Sequence, residues 1–330
     1  MSDPTRRSRL LAVKLEALAR DNDGPRGGVP GDFGSGAAFI AGTEAWVLLD
    51  TDPSRGLGPA VAWALRRDAT RLHVLADAAT GLLARRAEAF RMPITVSCIQ
   101  DRSLLPAIAE PLPVPPPLDP RHEALRADIV AGGAMPVVEH GVLAGEVFGL
   151  EVCRVVTDPV SGEPRLEVGV GAHDREAFQL LHGDRPTVEA LASVVASVAA
   201  LRDPMAPGHP LKRLGQERAL RAHLIAEPSL IGAIEVVVAQ PPFPRSNLKD
   251  PTPCVAVATM ARGSVTVVCS TGVDLDVVPY ACDARRATGV VDCVVVVPTR
   301  DLLPVQHAIN ESLLHPIELV ALDVLGRNAP

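Results

Sequence analysis

The stretch AWVLLDTDPSRGLGPAVAWALRRDATRLHVLAD, residues 45–77, decides the fold class. A short apolar run, a longer helical pattern and a second short apolar run follow each other in it, which predicts a strand, a helix and a strand. A helix at about 80–91 and a strand at 93–99 continue the alternation. This order is typical of a parallel sheet with crossover helices, so the chain is predicted to have an α/β fold.

The same order of elements returns near the C-terminus, from residue 253 onward. With an offset of 220 residues, VLLDTDPSRGLGPAVAWALRR (47–67) aligns with VVCSTGVDLDVVPYACDARRA (267–287), and Pro59 falls on Pro279. The sequence therefore indicates two Rossmann-like βαβαβ halves related by an internal repeat. The alternative is that the segments look alike only because this order of elements is common.

Proline-rich segments divide the chain. EPLPVPPPLDP (110–120) contains six prolines and predicts a stiff, extended linker. Beyond it, GEVFGLEVCRVVTD and PRLEVGVG read as two strand-like runs joined by a turn, which predicts an antiparallel hairpin. The predicted organisation is an N-terminal helix and flexible loop at 1–36, the first α/β half at 37–109, the linker at 110–120, a middle α+β module at 121–240, a proline-rich connector at 241–252 and the second α/β half at 253–330.

Composition narrows the function classes. The chain has 330 residues, a net charge of −7 and only 3% aromatic residues. This composition disfavours nucleic acid as a partner, because binding nucleic acid requires a basic surface and exposed aromatic rings. The six cysteines form no C-x-x-C pair, so free thiols in a reducing compartment are expected. No secretory signal is visible, and the longest apolar run, 190–201, has 12 residues, too few to span a bilayer. A cytoplasmic location without a membrane partner is predicted, and a homo-oligomer is compatible with the sequence.

Acidic pairs follow the first strand of each α/β half. Asp50 and Asp52 come after one strand, and Asp274 and Asp276 come after the corresponding strand of the second half. Ligands of open α/β sheets bind beyond the carboxyl ends of the strands, so these pairs are candidates for holding a divalent cation or a ribose. The alternative is that they cap helices and turns. Neither loop matches a glycine-rich phosphate-binding motif.

Glu151 and Glu167 lie on the two predicted strands of the middle hairpin. Metal-dependent nucleases of the restriction-endonuclease-like class place two acids and a lysine on such strands, where the acids hold Mg²⁺ or Mn²⁺. The lysine position of the E-x-K signature is Gly169 here, so the signature is degenerate. A turn near Ser161 pairs residues whose numbers sum to about 321, which places Glu167 opposite Arg154 and predicts a cross-strand ion pair as the alternative.

The face of the second hairpin strand that carries Glu167 is otherwise bare, because Gly169 and Gly171 follow it on that side. Such a face permits close approach of a helix or a ligand, and a helix is the expected occupant. His173 follows at the start of the next predicted helix. It is a candidate general base beside Glu167, with a helix cap or a surface position as the alternative.

Basic residues concentrate between 202 and 249. The predicted helix at about 211–226 is rich in arginine, including Arg218 and Arg221, and is interpreted as a solvated face rather than a phosphate-binding face. Arg245 and Lys249, in the proline-rich connector, are candidate ligand-binding residues on the same face.

Three functions remain open from the sequence. The leading hypothesis is a ligand-binding or regulatory protein that holds a nucleotide-like or other anionic ligand in a cleft between the two halves. The second is a metal-dependent nuclease or phosphodiesterase centred on Glu151, Glu167 and His173, which is the one hypothesis that implies Mg²⁺ or Mn²⁺ as a cofactor. The third is a non-catalytic scaffold or oligomer-forming protein with a protein partner.

Overall fold

The structure, a computed structural model, describes residues 4–171, 174–176, 187–203, 208–245, 247 and 249–323. His173 therefore lies outside the described residues. The chain divides into two compact units. Unit 1 comprises Met1–Leu112, Val273–Asp283 and Leu302–Glu318, and unit 2 comprises Pro113–Gly272, Ala284–Asp301 and Leu319–Pro330.

Helices alternate with strands in both units, and the predicted α/β class is confirmed; the internal repeat stays a prediction. The described helices are α1 (Pro4–Asp21), α2 (Leu57–Leu65), α3 (Thr80–Ala87), α4 (Pro120–Glu123), α5 (Arg126–Ala131), α6 (Thr187–Arg202), α7 (Gln216–Ala226), α8 (Val277–Thr288) and α9 (Pro304–Glu311). No helix among the described residues is long and apolar enough to cross a membrane.

Unit 1 contains a six-stranded sheet whose strands neighbour each other in chain order. Its two inner pairs, β3–β4 and β4–β5, are parallel, whereas the flanking pairs are antiparallel. The parallel pairs are those that the opening sequence stretch predicts. The strands are β1 (Val29–Gly31), β2 (Gly36–Ala41), β3 (Glu44–Leu49), β4 (Arg71–Ala76), β5 (Ile94–Gln100) and β6 (Ser103–Pro106).

Helix α1 covers part of one face of this sheet. Its apolar residues at three- and four-residue spacing, Leu11, Leu15 and Leu18, pack against Phe39 and Trp46 in one apolar cluster. Helices α2 and α3 contact β4 and β5. Helix α2 is largely buried, since it also packs against α9 and seven of its nine residues are buried.

Unit 2 contains two sheets. The first has the order β10-β9-β8-β7 and is antiparallel throughout, and the second has the order β11-β12-β13-β14-β15. Helix α6 packs on the first sheet and α7 on the second. The strands are β7 (Met135–Glu139), β8 (Val142–Val147), β9 (Leu150–Thr157), β10 (Pro164–Val168), β11 (Ala233–Val238), β12 (Cys254–Met260), β13 (Gly263–Cys269), β14 (Cys293–Pro298) and β15 (Glu318–Leu322).

The predicted hairpin of the middle module exists as β9–β10, and its predicted register is confirmed by the pairing of Glu167 with Arg154. The run GEVFGLEVCRVVTD, however, is not one strand. It turns at Phe148 and Gly149, whose φ angles of 46° and 74° are both positive, and β8 and β9 pair through Val147 and Leu150. Two central residues with positive φ define the tight hairpin turn that matches the twist of antiparallel strands.

Candidate functional site

Unit 2 contains a buried network of two arginines and two glutamates. Arg218 and Arg221 are three residues apart on α7, so their side chains leave the same face of the helix. Arg218 contacts both Glu139, at the end of β7, and Glu146, on β8. Arg221 donates to Glu139 at 2.7 Å and to Glu146 at 3.2 Å.

The interpretation of this basic helix as a solvated face is wrong for its central residues. The side chain of Arg221 has no exposed area, and Arg218 is 8% exposed. An arginine is buried at acceptable cost only where carboxylates neutralise it and accept its hydrogen bonds. Glu139 and Glu146 supply both, so the helix packs with its charged face inward.

The network fixes the charge state of its members. Burial by itself would raise the pKa of Glu139, but the charges of Arg221 and Arg218 outweigh burial and hold that pKa below its usual range. Burial opposes the charge of Arg218 in the same way, yet Glu146 and Glu139 raise its pKa. Glu139 and Arg218 therefore stay charged at neutral pH.

A cavity of about 130 Å³ adjoins the network. Three arginines, two glutamates and a histidine contribute the ionisable part of its lining, which consists of Arg154, Arg218, Arg245, Glu139, Glu151 and His140. Glu139 lies on β7, His140 in the turn that follows it, and Glu151 and Arg154 on β9. The other two, Arg218 and Arg245, come from α7 and the proline-rich connector. The cavity thus gathers residues that are distant in sequence.

Arg245 differs from the other arginines of the cavity. Arg218 is held by the network, and Arg154 donates two hydrogen bonds of 3.0 Å to Glu151. Among the described residues the Arg245 guanidinium has no hydrogen-bond or ion-pair partner. Burial lowers its pKa, and the like charge of Arg218 lowers it further. Lys249, the other basic candidate of this connector, is exposed and does not line the cavity.

His140 adds an unpaired ring nitrogen. Its Nε2 is buried without a hydrogen-bond partner in the described part of the chain. The ring reaches the cavity because His140 and Gly141 form the tight turn between β7 and β8, with φ angles of 48° and 74°. The backbone amide of His140 donates to Gln240 Oε1 at 3.2 Å, which ties this turn to the segment leading to Arg245.

Glu151 and Glu167, the predicted metal-binding acids, are both paired with arginines. Arg175 donates to Glu151 at 3.1 Å and its Nε lies 3.6 Å from Glu167 Oε2, so one guanidinium contacts both carboxylates. Arg165 donates to Glu167 at 2.7 Å. The register pairs Glu167 with Arg154, but the side chain of Arg154 binds Glu151 instead.

The bare face beside Glu167 is occupied by protein backbone. A Cβ atom on Gly169, whose φ is +139°, would lie 2.8 Å from the Arg175 amide nitrogen. Asp174, Arg175 and Glu176 are helical, as expected for the occupant of this face. Asp174 accepts a hydrogen bond from the amide of Val170, at 2.7 Å. The role of His173 as general base falls outside the described residues and stays a prediction.

No group of three or more His, Cys, Asp or Glu residues arranged to hold a metal ion occurs in the described part of the chain. The Mg²⁺- or Mn²⁺-dependent nuclease remains a prediction, and the arginine partners of Glu151 and Glu167 favour the ion-pair alternative.

The aspartates predicted beyond the strand ends lie in unit 1. Asp50 contacts Arg7, and Asp52 accepts a hydrogen bond from the Ser54 hydroxyl at 2.6 Å. Asp274 binds Arg55 at 3.0 Å, and Asp276 accepts from the amide of Gly58 at 3.0 Å and from Arg86 at 2.5 Å. These contacts make the second pair part of the internal packing of unit 1.

Asp276 provides a test of this packing through pH. Burial raises its pKa to about 6 against the opposing charge of Arg86. The folded state therefore binds the proton more tightly than the unfolded state, so the stability of wild type relative to Asp276→Asn should increase as pH falls from about 6 to 4. The expected gain over this range is about 2 kcal/mol, most of the full shift that roughly 1.4 kcal/mol per pKa unit gives. Urea denaturation of both proteins across this pH range measures it, and parallel pH profiles would contradict it.

Comparison of the chain with protein-family models, with curated proteins and with solved structures gives no match.

Sequence reasoning identified Arg245 as a candidate ligand-binding residue, but it did not identify His140, Arg218 or Arg154 as lining the same cavity. A usable signal existed for the histidine: His140 and Gly141 separate two apolar runs, as hairpin turns do. No local signal marks Arg218, since its partners Glu139 and Glu146 lie 79 and 72 residues away.

Proposed function

We propose that the protein binds a small anion, through a phosphate or carboxylate group, in the cavity of unit 2. The observation that carries the proposal is the Arg245 guanidinium, which lines the cavity without a partner among the described residues. A partly buried arginine loses hydration, and an oxyanion would replace that hydration with charge-assisted hydrogen bonds.

The charges of the lining support an anion rather than a cation. Three arginines and two glutamates line the cavity, which leaves one positive charge in excess. The glutamates are already engaged, because Glu139 binds Arg218 and Glu151 binds Arg154. The excess charge is therefore that of Arg245. Burial and the charge of Arg218 lower the pKa of this guanidinium, and the nearby glutamates offset them only in part.

The size of the cavity defines which part of a ligand it takes. A volume of about 130 Å³ equals roughly four waters at about 30 Å³ each. Pockets that enclose whole drug-sized ligands measure about 300–1,000 Å³. A nucleotide or a sugar phosphate would accordingly place its anionic group in this cavity and not its whole body. His140, which lines the same cavity, adds a polar ring to its wall.

Isothermal titration calorimetry with inorganic phosphate, sulfate and acetate tests the proposal. We expect saturable binding by wild type that weakens with added salt, since partly exposed charge interactions are screened. Arg245→Gln should weaken binding about tenfold or more, the loss expected for a hydrogen bond to a charged group.

Lys249→Gln is the matched control, because it removes a positive charge from the same connector without touching the cavity. Its affinity should stay within about twofold of wild type, a change of well under 1 kcal/mol. Equal losses in both variants would indicate nonspecific attraction, and either that result or an unchanged affinity in Arg245→Gln would refute the proposal.

A further inference from the structure

A second cavity lies in unit 1, on the face of the sheet that α1 partly covers. Three aromatic rings stand in a row on neighbouring strands there: Phe39 on β2, Trp46 on β3 and His73 on β4. The rings of Trp46 and His73 are 4.0 Å apart at 13°, and those of Phe39 and Trp46 are 6.1 Å apart at 8°. The rings of this row are nearly parallel, which is the geometry of an aromatic stack.

Trp46 and His73 line a cavity of about 570 Å³. The polar part of its lining also includes Asp23, after α1, Glu44, the first residue of β3, and Ser97 on β5. This volume falls in the range of about 300–1,000 Å³ that is typical of small-molecule sites. The cavity of unit 2 is several times smaller, so the two cavities accept different kinds of group.

One ring nitrogen at this cavity, that of Trp46, has no partner among the described residues. Trp46 is 6% exposed and its Nε1 has no described hydrogen-bond partner, whereas the Nε1 of Trp63 donates to Asp32 O at 3.0 Å. His73 Nε2 is buried as well, and it lies in polar contact with Glu44 Oε2 at 3.4 Å. Buried polar groups without partners are uncommon in native proteins and mark sites where a partner is missing.

The charge of the cavity is opposite to that of the cavity in unit 2. Asp23 and Glu44 line it, and no arginine or lysine does so among the described residues. Arg71, which is half exposed, contacts Glu44 at 3.6 Å and offsets part of this charge. Burial lowers the pKa of His73, which Glu44 only partly opposes, so the imidazole is neutral at pH 7. A phosphate would meet carboxylates here, whereas an uncharged ring with N–H groups would find acceptors.

From the stacked rings, the partnerless Trp46 nitrogen and the acidic lining, we propose that this cavity binds an uncharged, planar nitrogen heterocycle of the nucleobase type. Such a ring offers a flat surface that can stack against His73. Its amino groups can donate to Glu44 and Asp23, and a ring nitrogen or carbonyl can accept a hydrogen bond from Trp46. The site is independent of the anion site in unit 2.

Calorimetric titration of the full chain with adenosine, cytidine, guanosine and uridine tests this proposal. Arg245→Gln serves as the background, so that the anion site does not contribute. At least one nucleoside should saturate below about 1 mM, a modest affinity for a site of this size. The corresponding nucleoside 5′-monophosphate should bind about tenfold more weakly or not at all, because its phosphate meets the acidic lining.

Variants of the residues around the aromatic stack distinguish a loss of nucleoside binding from a loss of folding. His73→Ala should weaken nucleoside binding about tenfold or more, since it removes the ring on which a base stacks, and His73→Phe should restore most of the affinity. Glu44→Gln removes a negative charge from the lining but keeps the shape of the side chain. It should therefore reduce the preference for the nucleoside over its monophosphate. This variant remains informative if His73→Ala does not fold. Thr70→Ala is the control, because Thr70 is an exposed residue of the same unit that does not line the cavity.

Three results would overturn the proposal: no saturation by any of the four nucleosides, unchanged binding in a folded His73→Ala protein, or monophosphates binding more tightly than nucleosides. None of them bears on the anion site, because phosphate binding there is measured with Arg245 intact and nucleoside binding here with Arg245 removed.

Discussion

Replacing Arg221 by leucine should lower the free energy of unfolding by about 3–5 kcal/mol, the usual cost of removing one partner from a buried ion pair. The side chain of Arg221 has no exposed area and holds both Glu139 and Glu146. Leucine fills part of the volume but leaves these carboxylates with Arg218 as their remaining described partner. Urea denaturation followed by circular dichroism measures the loss.

The same variant should change the pH dependence of stability. In wild type the pKa of Glu139 is depressed, so its stabilising contribution is present at neutral pH and is lost as pH falls through the folded pKa. Without Arg221, burial should raise that pKa, and Arg221→Leu should regain part of its lost stability as pH falls from 7 toward 4. Arg126→Ala, which breaks the exposed pair with Glu123, is the control and should cost about 1 kcal/mol or less. A similar loss in both variants would contradict the role given to the buried network.

Gly58→Ala should prevent unit 1 from reaching its native packing. A Cβ atom on Gly58 would lie 2.0 Å from the carbonyl oxygen of Leu275, and both groups belong to the backbone, so neither can rotate away. The shift needed to relieve the clash also breaks the hydrogen bond from the Gly58 amide to Asp276. We expect a loss of more than about 3 kcal/mol, at the upper end of overpacking effects, seen as a lower thermal midpoint or as insoluble protein.

Gly34→Ala is the matched control for this substitution. It makes the same chemical change in the same unit, but a Cβ atom there meets no atom within 4 Å and the backbone needs no positive φ. Its stability should equal that of wild type or slightly exceed it, because alanine restricts the unfolded chain. If Gly34→Ala and Gly58→Ala behave alike, the close approach at Gly58 is not what constrains the residue.

The sequence predicted those features of the fold that depend on residues close to each other along the chain. An N-terminal helix was predicted, and the spacing of Leu11, Leu15 and Leu18 accounts for the face that α1 buries. The turn near Ser161 fixed the register that opposes Glu167 to Arg154. The turn at Phe148 and Gly149 was missed because a bulky residue rarely adopts positive φ, and an uninterrupted apolar run hides the break.

The candidate site was harder to predict because it depends on pairs that are distant in sequence. A charged helix is usually solvated, and this one is buried because the carboxylates that pair with Arg218 and Arg221 offset the cost of removing these arginines from water. Those partners lie on β7 and β8, in a sheet whose strands the sequence did not separate correctly. Arg245 was identified by its charge and its place in the connector, but nothing in its neighbours reveals that it has no partner among the described residues.

The division of the chain has a consequence for biosynthesis. Unit 1 is completed only by Val273–Asp283 and Leu302–Glu318, whereas most of unit 2 lies in the continuous segment Pro113–Gly272. The ion pairs of Arg85 and Arg86 with Asp283 therefore cannot form until almost 200 further residues have been synthesised. At about 5–20 residues per second of translation, that interval lasts on the order of ten seconds or more. During this interval the first 112 residues are without the segments that complete unit 1. The part of the protein that is made first is therefore among the last to finish folding.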